Sequence, residues 1–276
     1  MDLAYEGTSF AGWARQPDQR TVQGVLEEAL ARVLRLEAPL PIQVAGRTDS
    51  GVHARGQVAH ADVPAEAWHA VQRPLRRLAR VLPADMRVRR LQPAPPGFHA
   101  RFSALARRYT YRVVDDVSGA DPLRRRQVLH HPRPLDAGLM HEAAQPLVGE
   151  HDFGSYCRRR PGATTIRRLL RFDWEREPSG HDAPDRELRA TIEADAFCHS
   201  MVRALIGAAL PVGEGKRPVA WPAEVLARGV RDPAVTVVAA HALCLEEVRY
   251  PADEELAGRA RQTRQLRGSP SESRAG

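Results

Sequence analysis

The chain has 276 residues, enough to bury a sizeable core as one large or two ordinary domains. Its formal net charge is +7 and its only lysine is Lys216, so the positive charge is almost all arginine, which points to a polyanion such as nucleic acid. No apolar run reaches the ~18 residues of a spanning helix, and the opening "MDLAYEG" has neither a basic n-region nor an apolar h-region, so a cytoplasmic protein without a membrane segment is expected.

The first strong element is "TVQGVLEEALARVLRL". Val22, Val25, Leu26, Ala29, Leu30, Val33 and Leu34 recur at helical spacing on one stripe, and Thr21 is placed to cap it. "IQVAG" and "QVAHADV" read as strands on either side of the loop "GRTDSGVHARGQ", Gly46 to Gln57. That loop has two readings. Asp-Ser-Gly is good turn chemistry, because Asp bonds its own backbone and Gly accepts positive φ. Alternatively the glycines let the backbone approach a ligand, and Arg47 keeps Asp49 ionised as a nucleophile or base.

Further on, one helix is expected from about Ala65, carrying Trp68, Val71, Leu75 and Leu78, and "MRVRRLQ" reads as a strand. In "RRYTYRVV" a period of two puts Tyr109, Tyr111 and Val113 on one face and Arg108, Thr110 and Arg112 on the other. A helix over Leu139–Leu147, strands near Ile166–Trp174 and Leu188–Glu193, and a helix with Met201, Val202, Leu205, Ile206 and Ala209 follow. A short helix "WPAEVLARG" and a strand near Leu243–Val248 close the order. The economical reading is two α+β halves, residues 1–104 and 105–251. Residues 252–276 form a polar tail, expected to be a frayed helix running into disorder.

Several chemistries find no support. Cys157, Cys198 and Cys244 are far apart and form no C-x-x-C, so reduced, buried thiols are expected. His130, His131 and His141 lack ligand spacing, and no metal site is expected. "GEGKRP" lacks the first glycine of a phosphate loop and has Arg217 where Ser or Thr would bind magnesium. Arginines cluster at Arg107–Arg108, Arg124–Arg126, Arg158–Arg160 and Arg167–Arg168, which together favour a phosphate-tracking surface. Tyr111 reads as core; Tyr109 can either stack a base or pack the same face. A non-catalytic RNA-binding protein and a metal-dependent RNA hydrolase are the rival classes.

At this point the blocks resemble a family. "AGRTDSGVHARGQVAH" is similar to the signature of the tRNA pseudouridine synthase A family, and "YEGTSFAGWARQ", "FHARFSALARRYTY", "GEHDFGSY" and "DAFCHSMVRALIG" resemble its other blocks in order, over roughly residues 2 to 251. The resemblance implies an isomerase that converts uridine to pseudouridine at positions 38–40 in the tRNA anticodon stem-loop. It implies Asp49 as the essential acid, Arg47 beside it, Tyr109 stacking on the target uracil, and Arg203 and Leu245 near the acid and the pocket. It implies two pseudo-symmetric halves on one extended mixed, mainly antiparallel sheet with a central cleft. It further implies a homodimer acting on tRNA without a cofactor or metal. The chain departs from the pattern at Ala79, Asp195, Ser200, Ala204 and His241–Ala242, and keeps Asp49, Arg47, Tyr109 and Arg203.

Overall fold

The computed structural model describes residues 1–158, 164–177 and 187–268. Seven α-helices and ten strands lie within them, the strands in one open, mixed and mostly antiparallel sheet, so the architecture is α+β. The chain divides into two units. Residues 1–50, 54–106 and those from 247 onward make the first; residues 51–53 and 107–246 make the second. Arg159 and Arg160 of the third arginine cluster, and residues 269–276 of the tail, lie outside the described residues.

In the first unit, strand β1 (Asp2–Tyr5) is followed by helix α1 (Val22–Leu34), a short β2 (Gln43–Val44) and β3 (His53–His60). Helices α2 (Ala65–His69) and α3 (Pro74–Val81) then lead into β4 (Met86–Arg90). Antiparallel pairing puts β1 between β3 and β4, with Asp2 opposite Val58 and Tyr5 opposite Met86, and β2 adds to β3 with Gln43 opposite His60. The expected cap forms at α1: Thr21 Oγ1 accepts from Gly24 N–H at 3.2 Å, satisfying one of the orphan amides of the first turn. The α1 stripe of Leu26, Leu30, Val33 and Leu34 is buried.

The single helix expected from Ala65 is two helices. Pro74 occupies the first helical position of α3, and Arg73 before it takes a left-handed conformation at φ 52. A proline disfavours the helical region for its predecessor and lacks an N–H to continue the ladder, so the chain breaks there. A 3-10 turn (Asp253–Glu255) leads into helix α7 (Leu256–Gly268), in which Leu256, Ala260 and Thr263 are buried. Ser103 Oγ donates to Leu256 O at 3.1 Å, and the Arg264 guanidinium lies 5.2 Å from the centroid of the Phe102 ring.

The second unit contains β5 (Ala106–Val114), β6 (Leu129–His130), α4 (Ala137–Ala144), β7 (Gly149–Asp152), β8 (Ile166–Arg176), β9 (Glu187–Ala194), α5 (Met201–Gly213) and α6 (Trp221–Arg228). Strand β10 (Leu243–Arg249) begins in this unit and ends in the first. The order is β5-β9-β8-β7 by antiparallel pairing, while the short β6 lies parallel to β5. Helix α4 packs on β8 and on α5. The alternation in β5 holds, with Tyr111 and Val113 fully buried. Its other face is an ion-pair network: Thr110 Oγ1 donates to Glu246 at 2.8 Å, and Arg112 lies 3.2 Å from Glu187 and 3.7 Å from Glu246.

Cys157 and Cys198 lie side by side, with Cα atoms 5.7 Å apart, and the Cys244 thiol is buried. The 41-residue separation of Cys157 and Cys198 hides this proximity from a reading based on local spacing.

Candidate active site

The loop between β2 and β3 is built from the residues that flank it. Gly12 has φ +95, a conformation that suits glycine, and a β-carbon there would lie 3.0 Å from Thr48 O, 3.1 Å from Ser50 N and 3.3 Å from Asp49 C. Trp13 N–H donates to Thr48 O at 3.0 Å, and Ser50 Oγ donates to Phe10 O at 3.2 Å. The segment 10–13 therefore lies directly against the backbone of residues 48–50. From the other side, Tyr5 Oη shares a 2.8 Å hydrogen bond with Thr48 Oγ1. Gln57, fully buried, donates from Nε2 to Tyr5 Oη at 3.1 Å and to Gly46 O at 2.9 Å. A buried amide must be satisfied, and these bonds do so while fixing the loop.

The result is a half-buried Asp49 on a backbone whose neighbours are individually held. Gly46 leaves open space around its α-carbon, whereas Gly56 belongs to β3 and not to the loop. Arg47 is exposed. The charge that responds to Arg47 is Arg101: burial first, and then the neighbouring Arg47 guanidinium, lower the Arg101 pKa. Two cations thus sit close together in the first unit.

Downstream of Asp49, residues 51–53 belong to the second unit. His53 Nε2 lies 2.6 Å from Arg126 O and 2.7 Å from His241 O, so its ring N–H is donated to a pair of carbonyls. His241, one of the departures from the family pattern, donates in turn from Nε2 to Val128 O at 3.0 Å.

The other expected site residues are in the second unit. Tyr109, on β5 opposite Ile192 of β9, is 7% exposed. Its ring meets Phe197 edge-on, with centroids 5.2 Å apart and planes at 90°. Arg203, in the first turn of α5, donates from Nε to Val238 O at 2.6 Å. Burial pushes the Tyr111 phenol well up, with the Arg203 charge opposing it. Leu245, on β10, is fully buried. Some arginines read as phosphate-tracking are structural instead: Arg107 is buried and donates to Asp195 O at 2.6 Å, and Arg124 ion-pairs with the buried Glu187. Asp195, another departure, accepts from Arg168 N–H at 3.0 Å and Ala196 N–H at 2.7 Å through one oxygen, a task an Asn oxygen would also perform. Among the described residues no group of three His, Cys, Asp or Glu is arranged to hold a metal ion, and no helix is long and apolar enough to cross a membrane.

The residues that sequence reasoning did not single out are Gly12, Tyr5, Gln57, His53 and Phe197. Each acts through a partner remote in sequence. Gly12 carried a local signal, since it stands in the quoted block "YEGTSFAGWARQ", but nothing local says that it faces Asp49.

Comparison with known proteins gives the same answer as the blocks. A family model described as tRNA pseudouridine synthase matches residues 3–103 and 143–251. A protein of Frankia casuarinae named tRNA pseudouridine synthase A is 60% identical over 277 residues, covering 99% of this chain and 96% of that one. One of the same name from Streptomyces griseus is 58% identical over 271 residues, covering 98% and 94%. One from Mycobacterium leprae is 48% identical over 281 residues, covering 98% and 95%. The matched segments contain the Gly12–Asp49 contact, Tyr109 falls between them, and the chain belongs to the tRNA pseudouridine synthase family, whose members are isomerases of tRNA uridine.

Proposed function

We propose that this chain converts uridine to pseudouridine at positions 38–40 of the tRNA anticodon stem-loop, with Asp49 as the reacting carboxylate and without a cofactor. The reaction breaks the bond from C1′ to N1 and makes one from C1′ to C5. C5 gives up its proton to solvent and N1, freed from the ribose, gains one, so the net change is an isomerisation. A carboxylate serves this chemistry by attack at C6 of the uracil, by attack at C1′, or by removing the 2′ proton on a glycal route. The observation that carries the reading is the clamp on the Asp49 loop, in which Gly12, Trp13, Tyr5 and Gln57 fix the backbone on either side of the acid. A reacting group gains rate when it is held in place before the substrate arrives.

In this reading the target nucleotide leaves its stack. Tyr109 supplies the ring that receives the base, and Leu245 and Arg203 take part in binding it. Arg47, exposed on the loop that carries Asp49, meets the RNA backbone. The enzyme acts as a homodimer in the cytoplasm.

The test is release of tritium from tRNA labelled at uridine C5, with and without a chelator. Release that is unaffected by chelator, and lost when the uridines at 38–40 are replaced by cytidine, is the expected result. Chelator-sensitive activity would point to metal-dependent chemistry, and tRNA binding without release to a non-catalytic binder. Light scattering of the purified protein tests the dimer.

The clamp makes its own prediction. In Gly12→Ala the new methyl must occupy a left-handed backbone and press on the carbonyl of Thr48 and the amide of Ser50. A displacement of the acid by a fraction of an ångström is expected to lower kcat by about 10-fold or more, while tRNA affinity stays within about 3-fold. Unchanged kcat in a folded Gly12→Ala protein would mean that the loop does not need this support.

A further inference from the structure

We infer that Phe197 is a positioning residue that fixes the ring of Tyr109, and that the loop from Asp195 to Ser200 is a rigid wall built to hold it. The inference rests on the role proposed above for Tyr109. The two rings are perpendicular with centroids 5.2 Å apart, inside the range in which edge-to-face pairs attract. Phe197 itself is only half-buried, so filling the core does not account for its place.

The loop that carries Phe197 is restrained at nearly every residue. Asp195 N–H donates to Arg168 O at 3.1 Å, and its side chain accepts from Arg168 and Ala196 as described. Arg107 binds the Asp195 carbonyl from the neighbouring strand β5, two residues before Tyr109. Cys198 packs against Cys157, with Cα atoms 5.7 Å apart, and Arg158 N–H donates to His199 O at 3.0 Å. Met201 N–H donates to Cys198 O at 3.1 Å, and Ser200 takes the left-handed conformation at φ 63, uncommon for a residue with a β-carbon. Such conformations persist where the surroundings over-determine them. The restraints leave Phe197 little freedom to move, so Tyr109 is prevented from tilting toward it. A flat base arriving on Tyr109 would then meet a ring already at its working angle, and the ordering cost would fall before the chemical step.

The experiment compares Phe197→Leu, Phe197→Ala and Phe197→Tyr by steady-state tritium release, with thermal melts to confirm folding, and Tyr109→Leu in parallel. Leu keeps the volume and apolar character but not the ring. The expected result is a kcat about 10- to 100-fold lower in Phe197→Leu and Phe197→Ala with KM within about 2-fold, and recovery of most of the kcat in Phe197→Tyr. A filler role would let Leu serve as well as Phe, because volume-conserving swaps are tolerated. Wild-type kcat in Phe197→Leu, or a Phe197→Tyr enzyme no better than Phe197→Leu, overturns the inference. Wild-type turnover in Tyr109→Leu would instead remove Tyr109 from the reaction. That result is separate from a failure at Phe197 alone, where Tyr109→Leu is inactive and Phe197→Leu is not.

Discussion

Asp49→Asn is expected to fold and to bind tRNA, and to release no tritium above a background at least about 1,000-fold below wild type, a loss of about 4 kcal/mol of transition-state stabilisation. The amide has nearly the shape of the carboxylate but neither its charge nor its nucleophilicity. Bonds that hold the loop are made by its neighbours: Thr48 with Tyr5 and Trp13, Gly46 with Gln57, Ser50 with Phe10. They do not depend on the residue at 49, and Asn also suits such a turn. If Asp49 were only a turn former, activity and stability would both survive. Loss of turnover without loss of binding marks a group needed for the chemical step. Slow deamidation of Asn could regenerate a trace of Asp, so Asp49→Ala belongs beside it. Turnover within about 10-fold of wild type in both variants would place the reacting acid elsewhere.

The clearest elements in the sequence were those whose cause is local. The α1 stripe and its Thr21 cap, and the alternation through Tyr109 and Tyr111, depend on residues a few positions apart, and the structure has them where that spacing puts them. Helix α7 was harder to read because its buried positions, Leu256, Ala260 and Thr263, fall one helical face apart but include only one bulky apolar side chain. The break at Arg73–Pro74 was a local signal that the apolar spacing of Val71, Leu75 and Leu78 concealed.

What stayed hidden depends on distant partners. Sequence alone shows Arg107 and Arg124 as members of basic clusters, yet each is taken up by an acceptor far along the chain, Asp195 O and Glu187. A run of arginines has the same local appearance whether it faces RNA or an internal acid. The Asp49 block is conspicuous, but its own residues leave both the turn and the catalytic readings open. Gly12 and Gln57 hold that loop from 37 and 8 residues away, at separations no spacing rule anticipates.

The largest effect on stability is expected at Gly207→Ala. Gly207 lies in α5, and a β-carbon there would sit 1.7 Å from Thr236 O and 2.8 Å from Thr236 C. Those are backbone atoms, so no side chain can rotate away, and either the helix or the 236–238 segment must move. The same interface holds Arg203, whose Nε donates to Val238 O and whose carbonyl accepts from Val238 N–H at 3.4 Å. Overpacking typically costs 1–3 kcal/mol, and a clash with fixed backbone belongs at or above about 3 kcal/mol. At about 2–4 °C per kcal/mol for a chain of this order, the melting temperature should fall by roughly 6–12 °C or more. Alanine is the better helix former by about 1 kcal/mol, so intrinsic propensity opposes this loss and cannot cause it. Gly258→Ala in α7 supplies the control, because a β-carbon there meets nothing within 4 Å. The same substitution should raise the melting temperature or leave it unchanged. Thermal melts of the two variants side by side therefore separate helix propensity from close backbone approach. A Gly207→Ala protein that melts within about 2 °C of wild type would show that α5 can draw back from residue 236 at little cost. Where the melt does fall as expected, surviving folded Gly207→Ala protein should also turn over more slowly, because the displacement that relieves the clash at Thr236 moves the Arg203–Val238 pair with it.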